Sequence, residues 1–266
     1  MAANILFLII YLNLLMLNNE IFSTLILNWY KKNKRDLPWR KTKEPYKIWV
    51  SEIILQQTQI SQGTKYYFNF IKKFPDLESL ANSTESNVLK IWEGLGYYSR
   101  AINMLKNAKL LTQNNKKFPD NYNELIKLKG IGDYTASAIS SICSNESKAV
   151  LDGNVFRVIS RVFNISEAIN KNSGRKKFQK ITSSLLPKQK IGDYNQALMD
   201  FGSIQCTIKK PKCSICTIQH ICKSFKLKNI ELRPVKLKNK GSKKKRLLNY
   251  FIVIFKQHLY IQKRLQ

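Results

Sequence analysis

Leu128-Lys129-Gly130-Ile131-Gly132-Asp133-Tyr134-Thr135-Ala136-Ser137-Ala138-Ile139 decides the fold. Two glycines one residue apart lie between two helix-like stretches, 121–128 before them and 133–143 after. A turn of this kind presents backbone N–H groups at the start of the second helix. That arrangement suits an anion such as a DNA phosphate and reads no base sequence. A Gly-x-Gly turn alone often marks only a tight link between helices, so its meaning rests on its surroundings.

Helical spacing continues outward on both sides. Upstream it covers 18–34, 45–61, 63–73, 77–81, 85–93 and 99–113; downstream it covers 154–163, 174–186 and 193–203. Almost nothing before residue 247 alternates with period two, so the expected class is all-α. Residues 233–246, RPVKLKNKGSKKKR, hold eight basic residues and no acid, and read as a linker. The following NYFIVIFKQHLYIQKRL reads as a β-hairpin, which two strands alone barely sustain. It is expected to open a second domain.

The charge balance narrows the partner. Lys and Arg number 46 against 17 Asp and Glu, a net charge of +29. An AT-rich coding bias explains abundant lysine but not scarce acids, so a polyanion, and nucleic acid first, is expected. The apolar run Ile5–Leu17 has no basic residue ahead of it and no small-residue cleavage site. It is also shorter than the roughly 20 residues a membrane helix needs. It reads as an extension, either an extra helix or residues upstream of a start at Met16. No membrane partner and a cytoplasmic location are expected.

Four of the five cysteines fall in the pattern Cys206-x6-Cys213-x2-Cys216-x5-Cys222. Four thiolates in so short a span suit one metal centre, a tetrahedral zinc or a [4Fe–4S] cluster. Zinc ribbons usually pair two Cys-x-x-Cys knuckles, and this stretch has one, which favours iron–sulfur. Lys209, Lys210 and Lys212 lie in its first loop, where they would meet phosphates. Cys143 lies apart on a helix face with Ile139 and Ile142 and reads as a small buried hydrophobe.

WVSEIILQQTQ (49–59), GLGYYSRA (94–101), the 128–139 stretch, LDGNVFRV (151–158) and the four cysteines follow in this order. From Phe22 to Cys222 the chain resembles the adenine DNA glycosylases of the MutY type, within the endonuclease III superfamily. The resemblance implies two helical lobes with double-stranded DNA between them. One is a six-helix barrel, 37–146, carrying Glu52 and the helix-hairpin-helix. The other joins 18–36 to 147–229 and carries a [4Fe–4S] cluster on the four cysteines. Residues 1–17 would be the extension and 230–246 the linker. Residues 247–266 would be the opening hairpin of a Nudix-like domain cut short. The implied protein is a nucleoid-associated monomer that excises adenine mispaired with guanine or 8-oxoguanine.

The resemblance also assigns roles, each with a chemical reason. Adenine leaves poorly until N7 is protonated, so Glu52 would be the general acid, with Trp49, Ile53 and Leu55 raising its pKa. Asp152 would stabilise or trap the oxocarbenium ion that forms at the sugar, with Asn154 supporting it; it is also a natural helix N-cap. Tyr134 stands where strand-cutting relatives carry a Schiff-base lysine, so the enzyme would be monofunctional. Lys129 is five residues earlier and is not assigned that part. Gln56 and Tyr97 would fill the stack when the base flips out. Trp39, Arg40, Leu55 and Gln196 would form the adenine pocket, and Gly130 and Gly132 would hold a phosphate. A glycosylase/lyase for damaged pyrimidines and a non-catalytic lesion-binding iron–sulfur protein are the alternatives.

Overall fold

The computed structural model describes residues 19–237 and the strand segments 253–255 and 258–260. The apolar extension 1–17 and most of the basic linker lie outside the described residues. The chain divides into two units, one ending at Lys236 and one beginning at Leu237. In the second, β1 (Val253–Phe255) pairs antiparallel with β2 (His258–Tyr260), Ile254 opposite Leu259. This is the hairpin expected from the alternation.

The first unit is helical. Helix α1 covers 19–33 and buries Phe22, Ile26, Trp29 and Tyr30, one stripe at helical spacing. After a 3-10 turn at Pro38–Arg40, Pro45 opens α2 (Pro45–Ile54), where its missing N–H is of no consequence. Glu44 caps this helix by accepting the Tyr46 N–H at 3.1 Å. Then follow α3 (Ile60–Lys73), α4 (Leu77–Ala81), α5 (Glu85–Trp92), α6 (Ser99–Gln113) and α7 (Tyr122–Leu125). The Gly-Ile-Gly turn leads into α8 (Asp133–Ser144). Beyond it lie α9 (Gly153–Val162), α10 (Asn172–Ser184), α11 (Ile191–Asp200) and a short α12 (Lys223–Lys226).

Three boundaries differ from expectation. The helix expected over 45–61 ends at Ile54. Leu55, the C-cap, still packs on the first core, but Gln56-Gln57-Thr58-Gln59 offers it no further apolar side chain, and Gln57 adopts a left-handed backbone with φ 58° before helix resumes at Ile60. The stretch 121–128 is helical only over Tyr122–Leu125, because the chain must turn into the Gly-Ile-Gly link. The stretch 193–203 is α-helical to Asp200 and passes into a π-helical turn, Phe201–Gln205. That turn presses Gly202 onto the start of α9: a Cβ there would meet Asn154 Cβ at 2.7 Å and its carbonyl oxygen at 2.9 Å.

Two apolar cores form. One gathers Trp39, Trp49, Phe70, Leu80, Trp92, Met104 and Ile139; the other gathers Phe22, Trp29, Val155, Ile159, Phe178, Tyr194 and Phe201. Helix α8 serves both, with Ala136 and Ile139 in the first and Ala138 in the second. Cys143 packs on the first core, and burial pushes its thiol up to about 12, as an inert hydrophobe should behave. Asp200, fully buried, ties α11 to the segment after α1: it accepts from Arg35 Nε at 2.8 Å and Arg40 Nη2 at 2.8 Å. No helix among the described residues is long and apolar enough to cross a membrane.

Candidate active site

Helices α2 and α8 pack together, and this brings Glu52 to Tyr134. The Tyr134 hydroxyl donates to Met199 Sδ at 3.2 Å and stands close enough to the Glu52 carboxyl for each to shift the other's titration. Burial pushes the Glu52 carboxyl up to about 7 and outweighs the other influences. The Tyr134 hydroxyl and the Arg40 charge favour its ionised form, while the negative charge of Asp152 opposes it. At neutral pH this side chain holds and gives up a proton with comparable ease, as a general acid must. Tyr134 remains a neutral phenol, because burial drives its pKa well above 10.

Asp152 is the N-cap of α9. Its Oδ1 accepts the Val155 N–H at 2.7 Å and its Oδ2 accepts the Asn154 amide at 2.7 Å. Both oxygens are thereby oriented by their own helix. The network continues outward, since Arg157 donates to Asn154 Oδ1 at 2.8 Å, to the Gly202 carbonyl at 2.6 Å and to the Cys206 carbonyl at 2.7 Å. Asn154, expected to support Asp152, touches it directly.

Trp39 is buried in the first core, edge-on to Tyr67 at 5.3 Å between ring centroids. Arg40 is committed to Asp200 and lies over the Tyr30 ring at 5.5 Å, near enough for Glu52 to feel its charge. Leu55 is half-buried beside Gly63, and Gln196 is half-buried on α11. Gln56 turns inward and donates to Thr135 Oγ1 at 3.4 Å. Its neighbour Gln57 is exposed, on a left-handed backbone. Tyr97 is 64% exposed and also left-handed, with φ 47°. Two non-glycine residues in that conformation, at the tips of two turns, mark strained and outward-facing segments.

Gly130 has φ 84°, a conformation that favours glycine, whereas a Cβ on Gly132 would meet nothing within 4 Å. Lys209, Lys210 and Lys212 are exposed. The four cysteines line one mostly apolar space of about 370 Å³, including its open mouth. Burial and their mutual repulsion push Cys213, Cys216 and Cys222 upward, Cys216 to about 11. Buried Arg161 lies among them, donating to Cys206 Sγ at 3.4 Å and to the Thr207 carbonyl at 2.7 Å. Among the described residues, no three Cys, His, Asp or Glu side chains converge as a metal-binding set. The four thiols, facing one cavity with a cation beside them, nonetheless match the donor set of a sulfur-ligated cluster.

Asp200, Arg100, Arg157, Arg161 and Gln57 are structural participants that the sequence motifs did not single out. Arg157 and Arg161 leave one legible trace, as two cations a helical turn apart on the polar face of α9, the face that also carries Asn154 and Ser160.

A base-excision repair protein of the helix-hairpin-helix class is what this fold and site define. The profile described as HhH-GPD superfamily base excision DNA repair protein matches residues 50–184. A solved thermostable thymine-DNA glycosylase superposes with a TM-score of 0.72 at 30% identity, covering 79% of this chain and 97% of that one. A non-covalent endonuclease III–DNA complex gives 0.66 at 18% identity, over 80% and 97%, and so bears on the fold alone. The adenine DNA glycosylase of Buchnera aphidicola from Schizaphis graminum is 39% identical over 91% of this chain and 70% of its own length. The chain belongs to the adenine DNA glycosylase family.

Proposed function

We propose that this protein releases adenine from double-stranded DNA where it is mispaired with guanine or 8-oxoguanine, by hydrolysis and without cutting the strand. The observation that carries this reading is the Glu52 carboxyl, pushed up to about 7 by burial, beside the Tyr134 phenol where a lyase would need an amine. Glu52 protonates adenine N7, which turns the base into a neutral leaving group. Asp152, held by Asn154 and the Val155 N–H, faces the positive charge that grows on the sugar. Tyr134 orients Glu52 and has no nitrogen with which to form an imine. Trp39, Arg40, Leu55 and Gln196 shape the pocket for the base. Arg40 serves from a distance through its charge, since its guanidinium is engaged by Asp200.

Tyr97 and the turn holding Gln56 and Gln57 enter the stack that the flipped base leaves. Gly130 and Gly132 present N–H groups to a phosphate, and Lys209, Lys210 and Lys212 add charge on the cysteine loop. Cys206, Cys213, Cys216 and Cys222 would hold a [4Fe–4S] cluster, whose contribution is to brace that loop. The protein acts as a monomer on nucleoid DNA.

A single-turnover comparison of duplexes bearing A:G, A:8-oxoG and thymine glycol tests the reading. Free adenine from the first two and no product from the third is the expected result. Release of the damaged pyrimidine would transfer the chain to the glycosylase/lyase class, and binding without release to the lesion-binding class.

Gly132→Val separates phosphate binding from folding. A Cβ there meets open space, so the loss of stability should be limited to that of a poorer N-cap, about 1 kcal/mol, while affinity falls for matched and mismatched duplexes alike. A loss confined to mismatched DNA would mean that this turn reads the lesion.

A further inference from the structure

We propose that Arg100 is a positioning residue that joins two separate turns, 53–57 and 94–97, into one DNA-facing unit. This inference rests on the adenine-release reading above for its catalytic consequence.

Arg100 sits in the first turn of α6, and its guanidinium reaches two strands of backbone at once. Nη1 donates to the carbonyls of Ile53 at 2.7 Å, Gln56 at 2.8 Å and, more loosely, Ile54 at 3.4 Å. Nη2 reaches the carbonyls of Gly96 at 3.3 Å and Leu95 at 3.5 Å. The last carbonyls of a helix have no partner within it, and for α2 this cation supplies one. The same guanidinium lies over the rings of Trp92, at 5.3 Å, and Tyr97, at 5.7 Å. Burial lowers its pKa, and carbonyl dipoles and ring faces offset the cost of the buried charge.

The two turns it bridges carry the features that need support. Gln57 and Tyr97 both hold a left-handed backbone, and Tyr97 is mostly exposed, so its own packing does not fix it. Conformations of this kind persist where the surroundings over-determine them. The first turn also ends the helix that carries Glu52, so one side chain sets the spacing between proton donor and wedge. A planar fork with several donors can span both turns; a lysine ammonium, a point charge on a flexible stem, cannot.

The test uses the full chain with two duplexes: A:8-oxoG for single-turnover adenine release, and one with 2-aminopurine replacing that adenine, whose fluorescence rises as the base leaves the stack. Arg100→Met should slow release on the order of 100-fold through misplacement and suppress the fluorescence rise. Matched-duplex affinity and the pH midpoint of the remaining activity should match wild type. Arg100→Lys should fall between, and it carries the test if Arg100→Met does not fold by circular dichroism. In combination with Tyr97→Ala, Arg100→Met should be no slower than the slower single variant, because both act through the one unit that Arg100 holds together. Multiplicative losses, an undiminished fluorescence rise or a shifted pH midpoint would each overturn the proposal. If wild type gave the fluorescence rise but released no adenine, the function proposed above would fail, while the rise would still report on Arg100.

Discussion

Glu52→Gln should lower single-turnover adenine release by about 1,000-fold, within the range that a positioned general acid supplies. The change keeps the size of the side chain beside Tyr134 but removes the transferable proton. In the wild type the rate should be flat in acid and fall as pH rises through about 7, because only the protonated carboxyl can donate. The same shift acts on stability, with a definite sign. The folded-state pKa is raised from the ordinary 4.5, so the carboxyl's full contribution is present below about 4.5 and is lost as pH rises through 7. At pH 8 the wild type therefore bears a cost of up to about 3 kcal/mol that glutamine escapes. Melting curves at pH 5 and pH 8 should show Glu52→Gln gaining on the wild type as pH rises. A variant with near-normal rates, or one whose relative stability ignored pH, would remove Glu52 from the acid's role.

Asp152→Asn is the second large effect, again on the order of 1,000-fold in the rate of release, the scale of losing one preorganised electrostatic partner of the transition state. Here the fold should hold. Asparagine caps helices about as well as aspartate, so the Val155 N–H keeps its acceptor, but the amide that replaces Oδ2 meets the Asn154 amide, and the melting temperature should fall slightly, by less than when the cap itself is removed. Asp152→Ala loses the cap as well and should cost about 1 kcal/mol of stability with a similar loss of rate. Comparing the two variants separates chemistry from capping at one residue. Equal melting temperatures for Asn and Ala would show that the cap contributes nothing. Retained rate in Asp152→Asn would show that the charge is not needed.

What was legible in the sequence was mostly local. The start of α8 follows from two glycines and an acidic first turn, and the cap of α9 from an aspartate before Gly-Asn-Val. Less legible was everything decided by distant backbone. The end of α2 at Ile54 depends on Gln57 entering a left-handed conformation, which no glycine announces. For the same reason neighbouring glutamines part ways, Gln56 toward Thr135 and Gln57 toward solvent. Arg40 was expected to line the base pocket, yet its guanidinium is drawn to Asp200, 160 residues away in the chain. Arg100 looks like an ordinary basic residue at a helix start until the carbonyls of two turns are brought around it. A half-buried arginine bonded to carbonyls leaves no paired acid in the sequence to reveal it.

The most direct measurement follows one A:8-oxoG duplex through a single turnover and divides each time point among neutral quench, hot alkali and borohydride. Free adenine should appear in step with alkali-labile sites, while the neutral quench shows an intact strand and borohydride traps no protein–DNA adduct, since Tyr134 supplies no amine. Strand breaks in the neutral quench, or an adduct that disappears in Lys129→Ala, would contradict the account, as would abasic sites without free adenine.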